Sequence, residues 1–434
     1  MGRIAALINP ADLPYIRIRS DGAAHHPWKP GVEQNDKARI LVAGSGPAGL
    51  IAALGFAEAG FAVTLAGPDV TSSDARTTAL MNPSLKVLDR LGVLAELTPQ
   101  AAPLKVMRIV DATRRLIRSP TVTFRASEIG EEQFGLNLPN NILISVLAKA
   151  VAAHPGIEWR KSMVETWRLD ADQAHASLAD GSEVSASLAV AADGRLSPAR
   201  EAAGIKASAR PYPQSALVLN FSHRSEHGFI STEFHTETGP FTQVPLPGKR
   251  SSLVWVVKPE TAKELAALDD AALSIRVEEQ MQSMLGRVSV EPGRQVYPLS
   301  AAAPGRFAQN RVALVGEAAH VFPPIGAQGL NLGIRDIEDL IGIASENRDD
   351  PGSRLCLAAY DTRRRPDILA RSSAVNLLNM SLLSDMLPAQ LARSAGLNVL
   401  GSFAPLRAFF MREGLRPGSG FRALAGGLRK QAVR

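Results

Sequence analysis

The stretch from Arg39 to Gly49, RILVAGSGPAG, constrains the fold more than any other part of this chain. Its first five residues read as a short strand, because an unbroken apolar run of that length suits a strand covered on both faces. Gly44, Gly46 and Gly49 then form a G-x-G-x-x-G turn, and Pro47 suits the first position of a helix running to Ala59 and closed by Gly60. Residues 61–65 (FAVTL) read as the next strand, which completes a βαβ unit. In that setting Gly44 allows a sharp turn, Gly46 lets a pyrophosphate approach the backbone, and Gly49 lets helix and strand pack closely. The helix start around Ser45, Pro47 and Ala48 turns its partial positive charge toward the phosphates. A carboxylate about 20 residues further on usually accepts from the ribose. Here the aligned residue is Gly67, and Asp69 stands behind Pro68.

With 434 residues, at about 150 per domain, two or three domains are expected. Hydrophobic residues are 45% and charged residues 21%, which excludes a disordered chain and a coiled coil. The single cysteine, Cys356, excludes an internal disulfide, a cysteine zinc site and a redox dithiol within one chain. No metal site is expected. Residues 361–434 carry 12 Lys and Arg against 4 Asp and Glu, a net of +8, so the rest of the +6 chain sums to −2. A basic end suits nucleic acid, an anionic lipid surface or an acidic partner, as well as a solvated helical face. No apolar run reaches the roughly 18 residues needed to span a bilayer. Residues 1–37 mix Arg3, Arg17 and Arg19 with Asp12, Asp21, Glu33 and Asp36, and read as a polar N-terminal extension rather than a secretory or transit signal.

Further along, helices are expected around 84–91 and 141–153, with two strands within 106–125 between them. Residues 176–179 and 183–192 flank Asp180-Gly181, a hairpin turn signal. From about 208 to 298 the pattern changes to strands near 216–222, 229–235, 241–246 and 251–257, with one helix around 262–285. Residues 311–315 (RVALV) return to a buried parallel strand, and the chain is mostly helical from Asn331 on. The fold class is therefore α/β, a Rossmann-like domain with an inserted, mostly antiparallel β-sheet domain and C-terminal helices.

Two more motifs carry chemistry. Residues 187–192 lead into Asp193-Gly194-Arg195-Leu196-Ser197-Pro198, placing a carboxylate and a bare backbone at a strand end, with Ser197 able to cap a helix begun by Pro198. Residues 311–315 deliver Gly316-Glu317, then His320 and a Pro/Gly loop through Pro323, Pro324, Gly326, Gln328, Gly329, Leu330 and Asn331 into a helix. Glu317 could accept from ribityl hydroxyls, the loop could run along a flat ring, and the helix start could stabilise negative charge on it. His320 reads as a loop-packing residue, and His223, His227 and His235 as sheet-surface residues. Gly418-Ser-Gly420-Phe-Arg-Ala423 imitates a nucleotide turn but follows Arg416-Pro417 rather than a strand, so it reads as a turn.

These three motifs, in this order and at these distances, resemble the class A flavoprotein aromatic hydroxylases, the group that includes para-hydroxybenzoate hydroxylase. The first resembles their ADP-binding turn, VAADGRLSPAR their DG segment, and GEAAHVFPPIGAQGLNLG their second FAD motif. Asp74-Ala-Arg76-Thr-Thr-Ala-Leu80, Phe134-Gly-Leu-Asn137-Leu-Pro-Asn140, PLPGKRSSLVW ending at Trp255, and AQGLNLGIRD ending at Asp336 narrow the resemblance to the ubiquinone-biosynthesis hydroxylases of the UbiH, UbiF and UbiI type. It covers roughly residues 38–410. Trp159, Trp167 and Trp255 do not make the W-x-W-x-I-P pattern of flavin halogenases.

The resemblance implies FAD held by Gly44, Ser45, Gly46, Pro47, Ala48, Gly49, Arg76, Asn141, Asp193, Gly316, Glu317, Gly326, Gln328, Gly329, Leu330 and Asn331, with Pro323, Pro324 and Gly326 beside the isoalloxazine. Glu317 stands where most members carry Asp, Gly67 where members usually carry Glu, and Asn141 where many carry Arg. It implies segments 38–102, 135–207 and 297–350 as the FAD-binding domain, 103–134 and 208–296 as the substrate domain, and 351–434 as a basic helical region. The implied activity is hydroxylation of a polyprenylated phenol with O2 through a flavin C4a-hydroperoxide, the flavin being reduced by an external donor such as NAD(P)H. No catalytic side chain is assigned. The basic C-terminal region then suits a peripheral site on an anionic inner-membrane surface, or partner subunits of a biosynthetic complex, rather than nucleic acid. A flavin dehydrogenase or reductase of an isoprenoid lipid, and a non-catalytic flavoprotein subunit, are the competing readings.

Overall fold

Strand β1 (Arg39–Ala43) lies inside a six-stranded sheet, with its last four residues buried. A computed structural model describes residues 38–70, 74, 76–115, 118–323, 329–383, 387–415, 418–420 and 422–423, without the side chains of 372 and 374–393. The sheet runs Ala308–Gln309, Val312–Leu314, Leu188–Ala191, β1, β2 (Ala62–Ala66) and Ile157–Arg160. Its pairs are parallel apart from the Ala308–Gln309 edge. Ile40 sits opposite both Leu188 and Val63. Helix α1 (Pro47–Glu58) is buried from Gly49 to Ala57, because one side lies on the sheet and another against the Gly329–Glu346 helix. A Cβ on Gly55 would stand 2.6 Å from Ile341 Cδ1, so that glycine sets how closely the two helices cross.

The second sheet has eight strands. Ala207–His223, Arg250–Val257, Pro240–Leu246 and Ile230–His235 follow one another across it, close to the strands expected from the sequence. Ile230–His235 pairs in parallel with Val106–Asp111, and the other pairs are antiparallel. One face carries Leu217, Leu219, Phe221, Leu253 and Trp255 and is covered by Leu265, Leu273 and Val277.

Two expected elements divide. The helix expected over 262–285 is two helices, Pro259–Ala267 and Asp270–Gln280. Leu268 is extended, and the Asp269 carboxylate accepts from Ala272 N at 2.7 Å, starting a new helix where one was expected to continue. The strand expected over 183–192 is also two strands. Glu183–Ala186 completes a hairpin with Ala174–Leu178 around Gly181, while Leu188–Ala191 crosses into the six-stranded sheet.

A small sheet of β3 (Thr77–Met81), Gly135–Pro139 and Ala102–Leu104 joins the two large ones. Thr77 Oγ1 donates to Ser252 Oγ at 2.9 Å, and Asn137 Nδ2 to Pro245 O at 2.8 Å. The C-terminal helices Arg354–Leu383, Leu387–Ser402 and Ala404–Leu415 follow, and Arg407 Nε pairs with Glu128 Oε2 at 2.7 Å. Among the described residues no helix is long and apolar enough to cross a membrane.

Candidate active site

The first two motifs meet at Gly44. Its φ is +107°, and a Cβ there would lie 2.4 Å from Ala192 O, so the Ala192-Asp193 backbone rests directly on the turn. A Cβ on Gly49 would come 1.7 Å from Gly44 O, which brings helix against strand as the spacing implies. Gly46 is different: it is exposed, with nothing within 4 Å of where its Cβ would be. Ser45 is buried while Pro47 and Ala48 are half-buried, so the turn is closed on its sheet side and open on the other.

Asp193 stands beside this opening. Its Oδ2 accepts from Ala199 N at 3.1 Å, and Ser197 Oγ accepts from Arg200 N at 3.0 Å, capping the Pro198–Ala202 helix as expected. Burial pushes the Asp193 carboxyl up, only partly countered by hydrogen bonds from Ser197 and Ala199. Its Oδ1 is buried with no partner among the described residues. A buried acceptor next to an open turn suits a ligand hydroxyl.

The third motif touches the first. Gly316 has φ +61°, its Cβ would lie 3.1 Å from Ala48 Cβ, and Gly333 presses on it from the far side, a Cβ there standing 3.1 Å from Gly316 Cα. Gly316 N donates to Asp336 Oδ2 at 3.1 Å. His320 Nε2 meets the same oxygen, and Arg364 Nε donates to Asp336 Oδ1 at 2.8 Å. Burial alone would raise the Asp336 carboxyl, but the His320 and Arg364 charges hold it below the usual carboxylate range. Glu317 is exposed and lies 3.6 Å from Arg195 Nε of the DG segment. Pro323 is buried, Gly329 exposed and Leu330 half-buried. Asn331 Oδ1 accepts from Met81 N at 2.9 Å and Ser84 Oγ at 2.7 Å, and its Nδ2 donates to Ala79 O at 2.8 Å, so this side chain ties the helix start to β3. Pro324, Gly326 and Gln328 lie outside the described residues.

Arg76 is clamped by Asp74, with Nε at 2.8 Å and Nη2 at 2.7 Å, and its guanidinium stands 5.4 Å from the Tyr297 ring centre. The Asp74 hydrogen bonds raise the Arg76 pKa, with Glu317 adding to the effect. Asn140 Nδ2 donates to Asp74 at 3.0 Å, whereas Asn141 Oδ1 accepts from Ile142 N at 2.9 Å within its own helix. Of the two asparagines, the one joined to the Arg76 clamp is thus Asn140. Asp74, Asn140 and Asp336 carry much of the local organisation and were not singled out from sequence. Their one sequence signal is position inside the quoted segments around Arg76, Asn140 and Asp336.

The missing ribose carboxylate has a local cause. A Cβ on Gly67 would lie 2.7 Å from Ser45 N and 2.8 Å from Ser45 Oγ. Ser45 Oγ donates to Pro68 O at 2.7 Å, and Trp159 Nε1 donates to Gly67 O at 3.1 Å. Asp69 is drawn outward into an exposed pair with Lys161 at 2.6 Å.

The three sheet histidines are buried, not on the surface as expected. His223 binds Ser225 O at 2.8 Å and Ser251 Oγ at 3.0 Å, and His227 donates to Leu246 O at 2.9 Å. His235 pairs with Glu233 at 2.9 Å and is 2% exposed. Ser251 and Leu246 come from other strands, which local alternation does not reveal, whereas His235 pairs with Glu233 of its own strand.

The open Gly46 turn, the free oxygen of Asp193 and the Gly316–Ala48 contact make one continuous cradle, and these residues fit FAD. The FAD binding domain family matches residues 37–371. Ubiquinone hydroxylase UbiL of Rhodospirillum rubrum is 32% identical over 93% of this chain and 95% of its own length. The 3-demethoxyubiquinol 3-hydroxylase of Escherichia coli is 30% identical over 84% of this chain and 94% of its own. In fold, the chain is similar to p-nitrophenol 4-monooxygenase PnpA of Pseudomonas putida, with a TM-score of 0.70, 23% identity, and coverage of 87% of this chain and 96% of that one. The chain belongs to the FAD binding domain family and, within it, to the FAD-dependent hydroxylases of ubiquinone biosynthesis.

Proposed function

We propose that this chain hydroxylates the ring of a polyprenylated phenol on the way to ubiquinone, with O2 as co-substrate. The carrying observation is the contact of Gly316 with Ala48 at the turn where Asp193 also rests. It supports one extended dinucleotide held by all three motifs. The names of the two curated relatives support the ring and the pathway. When bound and reduced, FAD supplies the activated oxygen. Segments 38–102, 135–207 and 297–350 hold it, and 103–134 with 208–296 present the ring.

The chain's own residues do the positioning. Gly46 and the α1 N-terminus hold the diphosphate, Asp193 and Glu317 accept from hydroxyls of the bound cofactor, and Gly329 and Leu330 follow the ring edge. Arg76, fixed by Asp74, stands between the cofactor cradle and Tyr297 of the second sheet. Electrons come from an external donor. The net +8 of residues 361–434 favours a peripheral site on an anionic membrane, where a prenylated substrate resides.

Quinone-intermediate profiling in a strain lacking the gene tests the reading. A prenylated ring short of one hydroxyl should accumulate and disappear when the gene is restored. An unchanged quinone pool would overturn it.

A further inference from the structure

Three large apolar side chains stand in solvent at one corner of the C-terminal region. Val399 lies near the end of the Leu387–Ser402 helix, Phe403 joins it to the Ala404–Leu415 helix, and Phe410 lies on the second. They are 51%, 56% and 52% exposed. Phe403 N donates to Val399 O at 2.9 Å, and Arg407 N donates to Phe403 O at 3.1 Å, so helical hydrogen bonding runs through the junction. Spacings of four and seven residues then put Val399, Phe403 and Phe410 on one side of it.

The corner is held from behind. Arg407, paired with Glu128, also donates from Nη1 to Leu400 O at 3.0 Å and Gly401 O at 2.8 Å, closing the first helix. Ser394 Oγ donates to Arg118 O at 3.3 Å, and the same helix lies along Val122–Arg125. Met411, one residue past Phe410, is buried with Ala126 and Phe134. Arg335, from the helix that opens at the third motif, donates to Leu415 O. The exposed rings therefore stand on a support tied to the cofactor side of the molecule.

Charge narrows what can cover them. Residues 387–412 contain Arg393, Arg407 and Arg412 and no Asp or Glu. Arg118 and Arg125, before and at the end of the strand beneath, are exposed and have no ion-pair partner among the described residues. Glu128 is taken by Arg407, and the Glu413 carboxylate accepts from the N–H groups of Gly418 and Gly420. Apolar side chains flanked by guanidinium groups fit the boundary between acyl chains and anionic headgroups. A second copy of this chain fits less well, because the same net +8 would face itself.

We propose that Val399, Phe403 and Phe410 insert into the surface of an anionic bilayer, with the flanking arginines against its headgroups. The proposal rests on the peripheral-membrane part of the proposed function and adds which side chains enter the lipid. Docking through this corner also fixes which side of the enzyme faces the membrane.

Full-length, FAD-loaded enzyme is sedimented with phosphatidylglycerol vesicles. The double variant Phe403→Ser with Phe410→Ser should lower the partition coefficient about tenfold or more. Phe403→Leu with Phe410→Leu should keep most of it. Neither pair should move the melting temperature, since both rings are exposed. Met163→Ser with Ile275→Ser, which removes apolar side chains 61% and 58% exposed elsewhere, should partition as wild type does. Wild-type partitioning by the Phe-to-Ser pair would overturn the insertion alone. If that pair instead dissociates a dimer, seen by light scattering, with vesicle binding unaltered, the corner joins two copies and the proposal falls. Wild-type enzyme that ignores the vesicles would overturn the membrane reading and the insertion together. A normal quinone pool in the deletion strain alongside the expected partitioning would overturn the hydroxylation reading alone.

Discussion

The imidazole Nε2 of His320 and the Oδ2 of Asp336 lie 2.7 Å apart, and both side chains are fully shielded from solvent. Arg364 holds the other Asp336 oxygen, and the Gly316 N–H completes the set. The backbone that meets Ala48 is thus anchored from behind by a buried charge cluster.

Asp336→Asn should destabilise the protein by about 1–3 kcal/mol, because it removes the buried carboxylate shared by His320, Arg364 and the Gly316 N–H, while Arg364 keeps Asp339 and Asp367. Urea unfolding measures this. The folded Asp336 carboxyl lies below its ordinary value, so its contribution is present above the unfolded value of about 3.9 and is lost as pH falls through the lower folded value. Wild-type stability should therefore lose this contribution only in acid, and the variant should lack that dependence.

Two glycines three residues apart should respond differently to alanine. Gly49→Ala puts a methyl into Gly44 O and should cost about 1–3 kcal/mol together with FAD retention. Gly46→Ala meets open space, so the melting temperature should hold while FAD affinity falls about tenfold, because the methyl enters the path of the diphosphate. Flavin fluorescence titration and thermal melts of the apoprotein separate the two outcomes.

Asp193 trades stability for binding. Its carboxyl is raised by burial, so folding penalises the charged form. The penalty is absent at about pH 3, sets in above the unfolded carboxylate value, and is complete above the folded one. Asp193→Asn apoprotein should therefore be more stable than wild type at neutral pH and equal to it in acid. Its FAD affinity should fall about tenfold, because a charge-assisted acceptor is gone.

Restoring a carboxylate at Gly67 should not improve cofactor binding. Gly67→Glu places its Cβ on the Ser45 backbone N, which cannot move without disturbing the phosphate turn. FAD affinity should drop, as measured by the same titration, and an increase would show that the turn adjusts freely.

Binding to vesicles should require anionic lipid and weaken with salt, if the net charge of residues 361–434 docks the enzyme. Sedimentation with phosphatidylglycerol and with phosphatidylcholine vesicles measures this. Equal binding to both would remove the electrostatic account.

What could be read from the chain follows from the range of the forces involved. The βαβ unit was legible because apolar runs, glycine spacing and Pro47 act within a few residues. The Ser197 cap was legible for the same reason. The break at Asp269 was missed because apolar periodicity continues across it, and only the cap shows the new start. The crossing after Ala186 was missed because only Ser187 separates the alternating strand from the fully buried one, with no turn residue between them. Asp74 with Asn140, and Asp336 with Arg364, pair across long stretches of chain, as do the buried histidines with Ser251 and Leu246. No local pattern marks such partners. The ribose-site departure at Gly67 was visible as an absence, but its cause, the Ser45 side chain and backbone, needed the packed turn.

The parallel pairing of Ile230–His235 with Val106–Asp111 has a consequence for how the protein is made. Residues 106–111 leave the ribosome long before their neighbour exists, a wait on the order of ten seconds at ordinary translation speeds. The six-stranded sheet waits longer still, since its first strand, Arg39–Ala43, is made well before Val106–Asp111 and Val312–Leu314 must still arrive to flank Leu188–Ala191. A nascent chain therefore exposes unpaired, apolar strand edges until most of it has been synthesised, and production in a heterologous host should be limited by chaperone capacity and translation rate before it is limited by flavin supply.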